Sequence, residues 1–259
     1  MDILDSIIEH KKHTLPLRKG LMPPAVLEKF PYFNRTCTSL ADRLRAGDNS
    51  GIITEFKRKS PSKGIINATA VVEEVTREYE KFGAAGISVL TDDHFFGGSS
   101  EDLMAARDTV SIPLLRKDFI IDEYQLLEAK AIGADIILLI AACLTPPEVK
   151  MLAASAKSLG LEVLLELHDE AELEHICDDT VLIGINNRSL KTFEVNLDRS
   201  LEMAAKIPKD KIKIAESGIS DVGQINLFKQ HGFSGFLMGE NFMKETNPGE
   251  AFRIFASKL

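Results

Sequence analysis

Cysteine is scarce. The chain of 259 residues carries only Cys37, Cys143 and Cys177, too few and too scattered for a disulfide framework or a paired-cysteine metal site. Positive charge is also in short supply, with 31 Lys and Arg against 39 Asp and Glu and a net charge of -8. No overall field therefore favours nucleic acid or an anionic membrane, and an anionic ligand has to find positive charge locally. Long apolar runs are missing: the longest, Ile136 to Leu144, falls far below the roughly 20 residues that cross a bilayer. Ile3, Leu4, Ile7 and Ile8 recur at helical spacing between Asp2, Asp5 and Glu9, without the basic leader of a secretion signal. A cytoplasmic location in a reducing compartment is expected. His94 and His168 have no second ligand at a recognisable metal spacing, so no metal is expected.

What the chain does have is repetition of one pattern. Eight β-rich runs, at 51–57, 86–90, 113–119, 134–140, 161–167, 181–187, 211–218 and 235–241, are each followed by a turn and a helix-like stretch. This is the pattern of βα units forming a parallel sheet. Helical stretches such as VVEEVTREYEKFG, DEYQLLEAKAIG and PPEVKMLAASAKSLG end on glycine, and Asp122 and Asp169 are candidate N-caps. A doubly wound sheet would more often show five or six strands and a dinucleotide fingerprint. The expectation is an α/β protein, a single (β/α)8 TIM barrel over 1–259, with 1–48 a helical N-terminal extension and 49–259 the barrel.

Side chains alternate along a strand, so Ile53, Glu55 and Lys57 share a face, as do Leu115 and Lys117, Leu164 and Glu166, Gly184 and Asn186, and Ile214 and Glu216. If those faces point inward, five strands deliver Glu, Lys and Asn to the C-terminal mouth, where barrel enzymes place their active sites. Any one charge could simply mark a solvated strand end; five together point to acid–base chemistry on a phosphorylated small molecule. The stretches Glu216-Ser217-Gly218 and Met238-Gly239-Glu240-Asn241 resemble the phosphate cradle that barrels build after strands 7 and 8. The loop Ser60-Pro61-Ser62-Lys63-Gly64 suits a mobile cationic flap. Gly97-Gly98-Ser99 is expected to be a turn leading into helix caps.

The motifs ILDSIIEHKK, EFKRKSPSKG, SVLTDDHFFGGS, PLLRKDFIIDEYQ, EVLLELHDEAEL, IGINNRSL, AESGIS and FLMGENFM resemble the indole-3-glycerol phosphate synthase family of tryptophan biosynthesis, nearly end to end. The resemblance implies a carboxy-lyase that closes the indole ring of 1-(2-carboxyphenylamino)-1-deoxyribulose 5-phosphate with loss of carbon dioxide and water, without a cofactor. It further implies Lys117 as general acid on the sugar ketone oxygen and Glu166 as general base for dehydration. Lys57 would bind the anionic substrate, Glu55 and Asn186 would orient the lysines and a substrate hydroxyl, and Glu216 would lie nearby as a polar contact. Ser60, Arg188, Ser217, Gly218, Gly239 and Glu240 would surround substrate and phosphate, and Phe96, Phe119 and Leu190 would wall the benzoate ring. Glu240 puts a carboxylate beside the phosphate, and that site survives if only its backbone N–H is used.

Free Lys titrates near about 10.4 and free Glu near about 4.3, so both acid and base are expected to be tuned toward neutrality. The related phosphoribosylanthranilate isomerase family fits poorly, because it uses a cysteine at the end of strand 1 and an aspartate near strand 6, where this chain has Glu55, Lys57 and Asn186. A non-catalytic sensor or partner subunit would have no reason to keep both Lys117 and Glu166. A stand-alone monomer is expected, with other tryptophan-pathway enzymes as conceivable partners.

Overall fold

The computed structural model describes residues 3–188 and 194–259. Three helices come first: α1 (Ile3–Leu21), α2 (Pro24–Leu27) and α3 (Leu40–Ala46). The remaining chain, in order, is β1 (Ile52–Phe56), β2 (Lys59–Ser60), β3 (Gly64–Ile65), α4 (Val72–Lys81), β4 (Gly86–Leu90), α5 (Ser100–Thr109), β5 (Leu114–Lys117), α6 (Tyr124–Ala131), β6 (Ile136–Ile140), α7 (Pro146–Ser158), β7 (Glu162–Leu167), β8 (Leu182–Asn186), α8 (Leu197–Ala204), β9 (Ile212–Glu216), α9 (Val222–Gln230), β10 (Phe233–Met238), α10 (Glu240–Met243) and α11 (Pro248–Ala256).

Eight of these strands pair in parallel in the order β1-β10-β9-β8-β7-β6-β5-β4, and β4 closes back on β1. The apolar residues therefore split into two layers, as strand alternation requires. One set, including Ile53, Leu115, Leu138, Leu164, Ile214 and Leu237, fills the barrel. The other, including Ile87, Val89, Ile137, Leu139, Val163, Ile183 and Phe236, meets the surrounding helices. Leu40 and Leu44 of α3 join the interior set, so α3 closes the end where the strands begin. At the opposite end, Ile3, Leu4 and Ile7 of α1 reach over the mouth.

The eight expected strands are present, Gly86–Leu90 with the expected ends and the others with ends that differ by up to three residues, since strand ends are the least sharply defined part of a ladder. Glycines follow α4, α6 and α7 in the left-handed conformation, with φ of 88° at Gly83, 94° at Gly133 and 76° at Gly160, and Ser99 caps α5 by accepting from Asp102 N–H. One expected cap holds and the other is corrected. Asp169 is an N-cap as expected, accepting from Ala171 N–H at the start of a six-residue 3-10 helix, Glu170–His175. Helix α6 starts after Glu123; Asp122 still accepts from Tyr124 N–H, one residue earlier than an N-cap. The loop at 60–64 closes a small antiparallel ribbon in which β2 pairs with β3.

Candidate active site

The strand faces singled out above do converge. Ile53, Leu115, Leu164 and Ile214 are buried inside the barrel, so Glu55, Lys57, Lys117, Glu166 and Glu216, two or four positions further along each strand, emerge at the mouth. Gly184 holds the corresponding place on β8, and a methyl there would overlap Glu216 Oε1. The glycine thus leaves the space that lets Glu216 fold inward beside Asn186. All of these polar residues line one cavity of about 230 Å3.

Lys117 is the hub. Its Nζ lies 3.0 Å from Glu166 Oε2 and 3.3 Å from Glu216 Oε2. Glu166 Oε1 also accepts from Asn186 Nδ2 at 2.9 Å, and Asn186 Oδ1 accepts from Arg188 N–H at 3.0 Å. A second pair stands beside the first: Lys57 Nζ is 2.6 Å from Glu55 Oε1, and Glu55 Oε2 accepts from Ser88 Oγ at 3.2 Å.

These contacts set the ionisation, and the expected tuning toward neutrality is corrected for the central pair. Burial would discharge Lys117, but Glu166, Glu216 and Glu55 outweigh it and raise its pKa. Burial likewise favours the neutral form of Glu166, yet Lys117, then His168 and Asn186, hold it well below the ordinary carboxylate range. Glu55 also falls, since Lys57 and Lys117 overcome its burial. Direct contact between opposite charges exceeds desolvation in each case. Glu216 goes the other way: burial, with Glu166 and Glu55 as like charges, outweighs Lys117 and pushes it up to about 8. Three carboxyls share two ammoniums, so one carboxyl keeps its proton most easily, and it is the one with the longer contact to Lys117.

The expected phosphate surroundings lie on the same cavity: Ser60, Arg188, Ser217, Gly218, Gly239 and Glu240 all line it. Ser217 and Gly218 are consecutive left-handed residues, φ 64° and 73°, and Ser217 is the one non-glycine with positive φ among the described residues. A methyl on Gly239 would come 2.7 Å from Glu55 Cβ, so glycine lets the β10 turn approach β1. Glu240 is partly exposed and faces cations, 3.5 Å from Lys63 and 3.8 Å from Arg188. Its carboxylate is thus matched within the protein. Phe96 and Phe119 form an apolar wall, ring centroids 5.9 Å apart; Leu190 lies outside the described residues.

The N-terminal extension was expected to cover the barrel, but sequence reasoning missed that α1 reaches the site. Ile3, Leu4 and Ile7 line the cavity, and Lys11, buried on the same helix, bridges Asp92 at 2.9 Å and Asp118 at 2.7 Å. Asp118 follows Lys117 directly and also pairs with Arg116 at 3.0 Å. The apolar spacing of α1 was legible, but nothing in it said which surface the helix would cover. Also missed was His168, whose Nε2 lies 3.1 Å from Glu166 Oε1.

Residues 4–255 match the model of a family described as indole-3-glycerol phosphate synthase. A protein of that name from Bacteroides thetaiotaomicron is 46% identical over 259 residues, covering 100% of this chain and 99% of its own length. Another, from a Polaromonas species, is 43% identical over 254 residues, covering 96% of each. Among solved structures, the tryptophan synthase alpha subunit of Legionella pneumophila superposes with a TM-score of 0.61 at 14% identity, covering 84% of this chain and 94% of that one. At that identity the likeness speaks for the barrel alone.

Proposed function

The chain belongs to the indole-3-glycerol phosphate synthase family and is a carboxy-lyase of tryptophan biosynthesis; from that premise we propose how its own residues divide the work. The substrate in this reading is 1-(2-carboxyphenylamino)-1-deoxyribulose 5-phosphate. Lys117 gives a proton to the ketone oxygen as the aromatic carbon that carries the carboxylate attacks the ketone carbon. Carbon dioxide leaves, and its bonding pair restores the aromatic ring. The new hydroxyl then departs as water, taking a second proton, while Glu166 removes one proton from the adjacent carbon.

Two protons are delivered and one is recovered. That count suits a site with two ammoniums and a carboxyl, Glu216, that retains its proton near neutrality. Lys117 enters charged and Glu166 enters ionised, the states an acid and a base need. Lys57, steadied by Glu55, faces the anionic substrate and is placed to serve as second donor. Asn186 orients Glu166. Ser60, Arg188, Ser217, Gly218, Gly239 and the backbone of Glu240 take the phosphate end, and Phe96 and Phe119 the benzoate ring. We further propose one domain over 1–259 acting as a cytoplasmic monomer; the single closed sheet of eight strands supports the one-domain part of that reading.

The observation that carries this reading is Lys117 held between Glu166 and Glu216 at the mouth of the barrel. To test it, purified protein is mixed with the substrate, free of metal and cofactor, and indole fluorescence is followed. The chain contains no tryptophan, so the product signal has no indole background. Growth of the signal supports the reading; silence under those conditions contradicts it.

A further inference from the structure

His168 is the buried titratable residue that this division of labour leaves without a task. It sits where β7 gives way to the 3-10 helix, with its side chain 8% exposed. Its Nε2 is 3.1 Å from Glu166 Oε1, and its Nδ1 is 3.8 Å from Glu172 Oε2. Neither ring nitrogen makes a well-aligned hydrogen bond, so the attraction is one of charge. Glu172 is itself fixed, because its Oε2 accepts the backbone N–H of His168 at 2.5 Å. A neutral imidazole offers one donor and one acceptor, whereas both nitrogens here face carboxylate oxygens. Only the doubly protonated ring suits both neighbours.

We propose that His168 is a positioning residue, an imidazolium clamped between Glu166 and Glu172 that orients Glu166 and keeps it ionised while Lys117 is discharged. The proposal rests on Glu166 being the base. Glu166 is faced by Lys117 from β5, Asn186 from β8, Glu216 from β9 and His168 from its own strand end, while Glu55 of β1 acts on the same Lys117. Once Lys117 has given its proton to the ketone oxygen, His168 is the cation still in contact with Glu166 among the described residues. Without it, Glu166 would draw a proton from solvent before the substrate carbon offers one. Burial works against a charged ring, but the two carboxylates overcome it and carry His168 up to about 9, so the charge is present throughout the neutral range.

The experiment is the pH profile of kcat, which reports the enzyme–substrate complex in which Lys117 gives up its proton, for wild type, His168→Gln and Glu172→Gln, with Glu166→Gln as control. An opposite charge within about 4–6 Å lowers a carboxyl pKa by roughly 1–3 units. His168→Gln should therefore move the acidic limb up by about one unit or more, with KM nearly unchanged. Glu172→Gln leaves the ring in place and removes its outer partner; it should shift the limb less, in the same direction, and serves if His168→Gln fails to fold. In the Glu166→Gln background, adding His168→Gln should cost little further. An activity loss equal at every pH, or an unmoved acidic limb in both variants, overturns the proposal. Full activity in Glu166→Gln would instead overturn the assignment of the base, whatever His168 does.

Discussion

Glu216 differs from the two carboxylates beside it in how little positive charge it commands. Glu55 has Lys57 at 2.6 Å and Glu166 has Lys117 at 3.0 Å, whereas Glu216 has a share of Lys117 at 3.3 Å, and its Oε1 is buried with no hydrogen-bond partner among the described residues. With its pKa raised to about 8, Glu216 is protonated below that pH and loses the proton above it. Turnover should therefore fall as pH rises through about 8, and Glu216→Gln, which cannot titrate, should lack that limb; a steady-state pH profile decides it. For Glu166→Gln the expected outcome is retained substrate binding with dehydration stalled, visible as a decarboxylated intermediate in rapid-quench samples. Which residues meet at the mouth was legible from alternation along each strand, since period two is a property of the backbone. The direction of ionisation was not, because it depends on which oxygen lies within 3 Å of which ammonium, and several distant strands set that together.

At the scale of elements, β8 and α1 carry the clearest consequences. Gly184→Ala should leave the barrel folded but displace Glu216, lowering kcat more than it raises KM, because the added methyl competes for the space of Glu216 Oε1. Lys11 is buried between Asp92 and Asp118, and breaking a buried pair by removing one partner costs on the order of 3–5 kcal/mol. Lys11→Met should thus lower the denaturant midpoint by a corresponding amount and raise KM, as α1 loosens and Ile3, Leu4 and Ile7 leave the cavity wall. Strand positions were readable because β-branched runs and turn residues are local signals. The ribbon at Lys59–Ser60 and Gly64–Ile65 was not, since two residue pairs leave almost no pattern. The docking of α1 was hidden for a related reason: Lys11 looks like any solvated lysine until its two aspartates, 81 and 107 positions away, are brought to it.

Over the whole molecule, eight βα units leave closure of the sheet as the simplest arrangement, and the order β1-β10-β9-β8-β7-β6-β5-β4 is that closure. No helix among the described residues is long and apolar enough to cross a membrane. Both ends of the barrel are met by residues 3–46, α3 at the start of the strands and α1 over the mouth. If the proposed monomer holds, sedimentation should show a species of 28.6 kDa, with specific activity unchanged on dilution; a loss on dilution would indicate that a partner copy matters. The claim on which the rest depends is that Lys117 supplies the first proton. The most direct measurement compares single-turnover indole formation by wild type and Lys117→Met, with circular dichroism confirming the fold of both. The account predicts a folded variant slowed by roughly 10²- to 10⁴-fold; a folded variant turning over at the wild-type rate would contradict it.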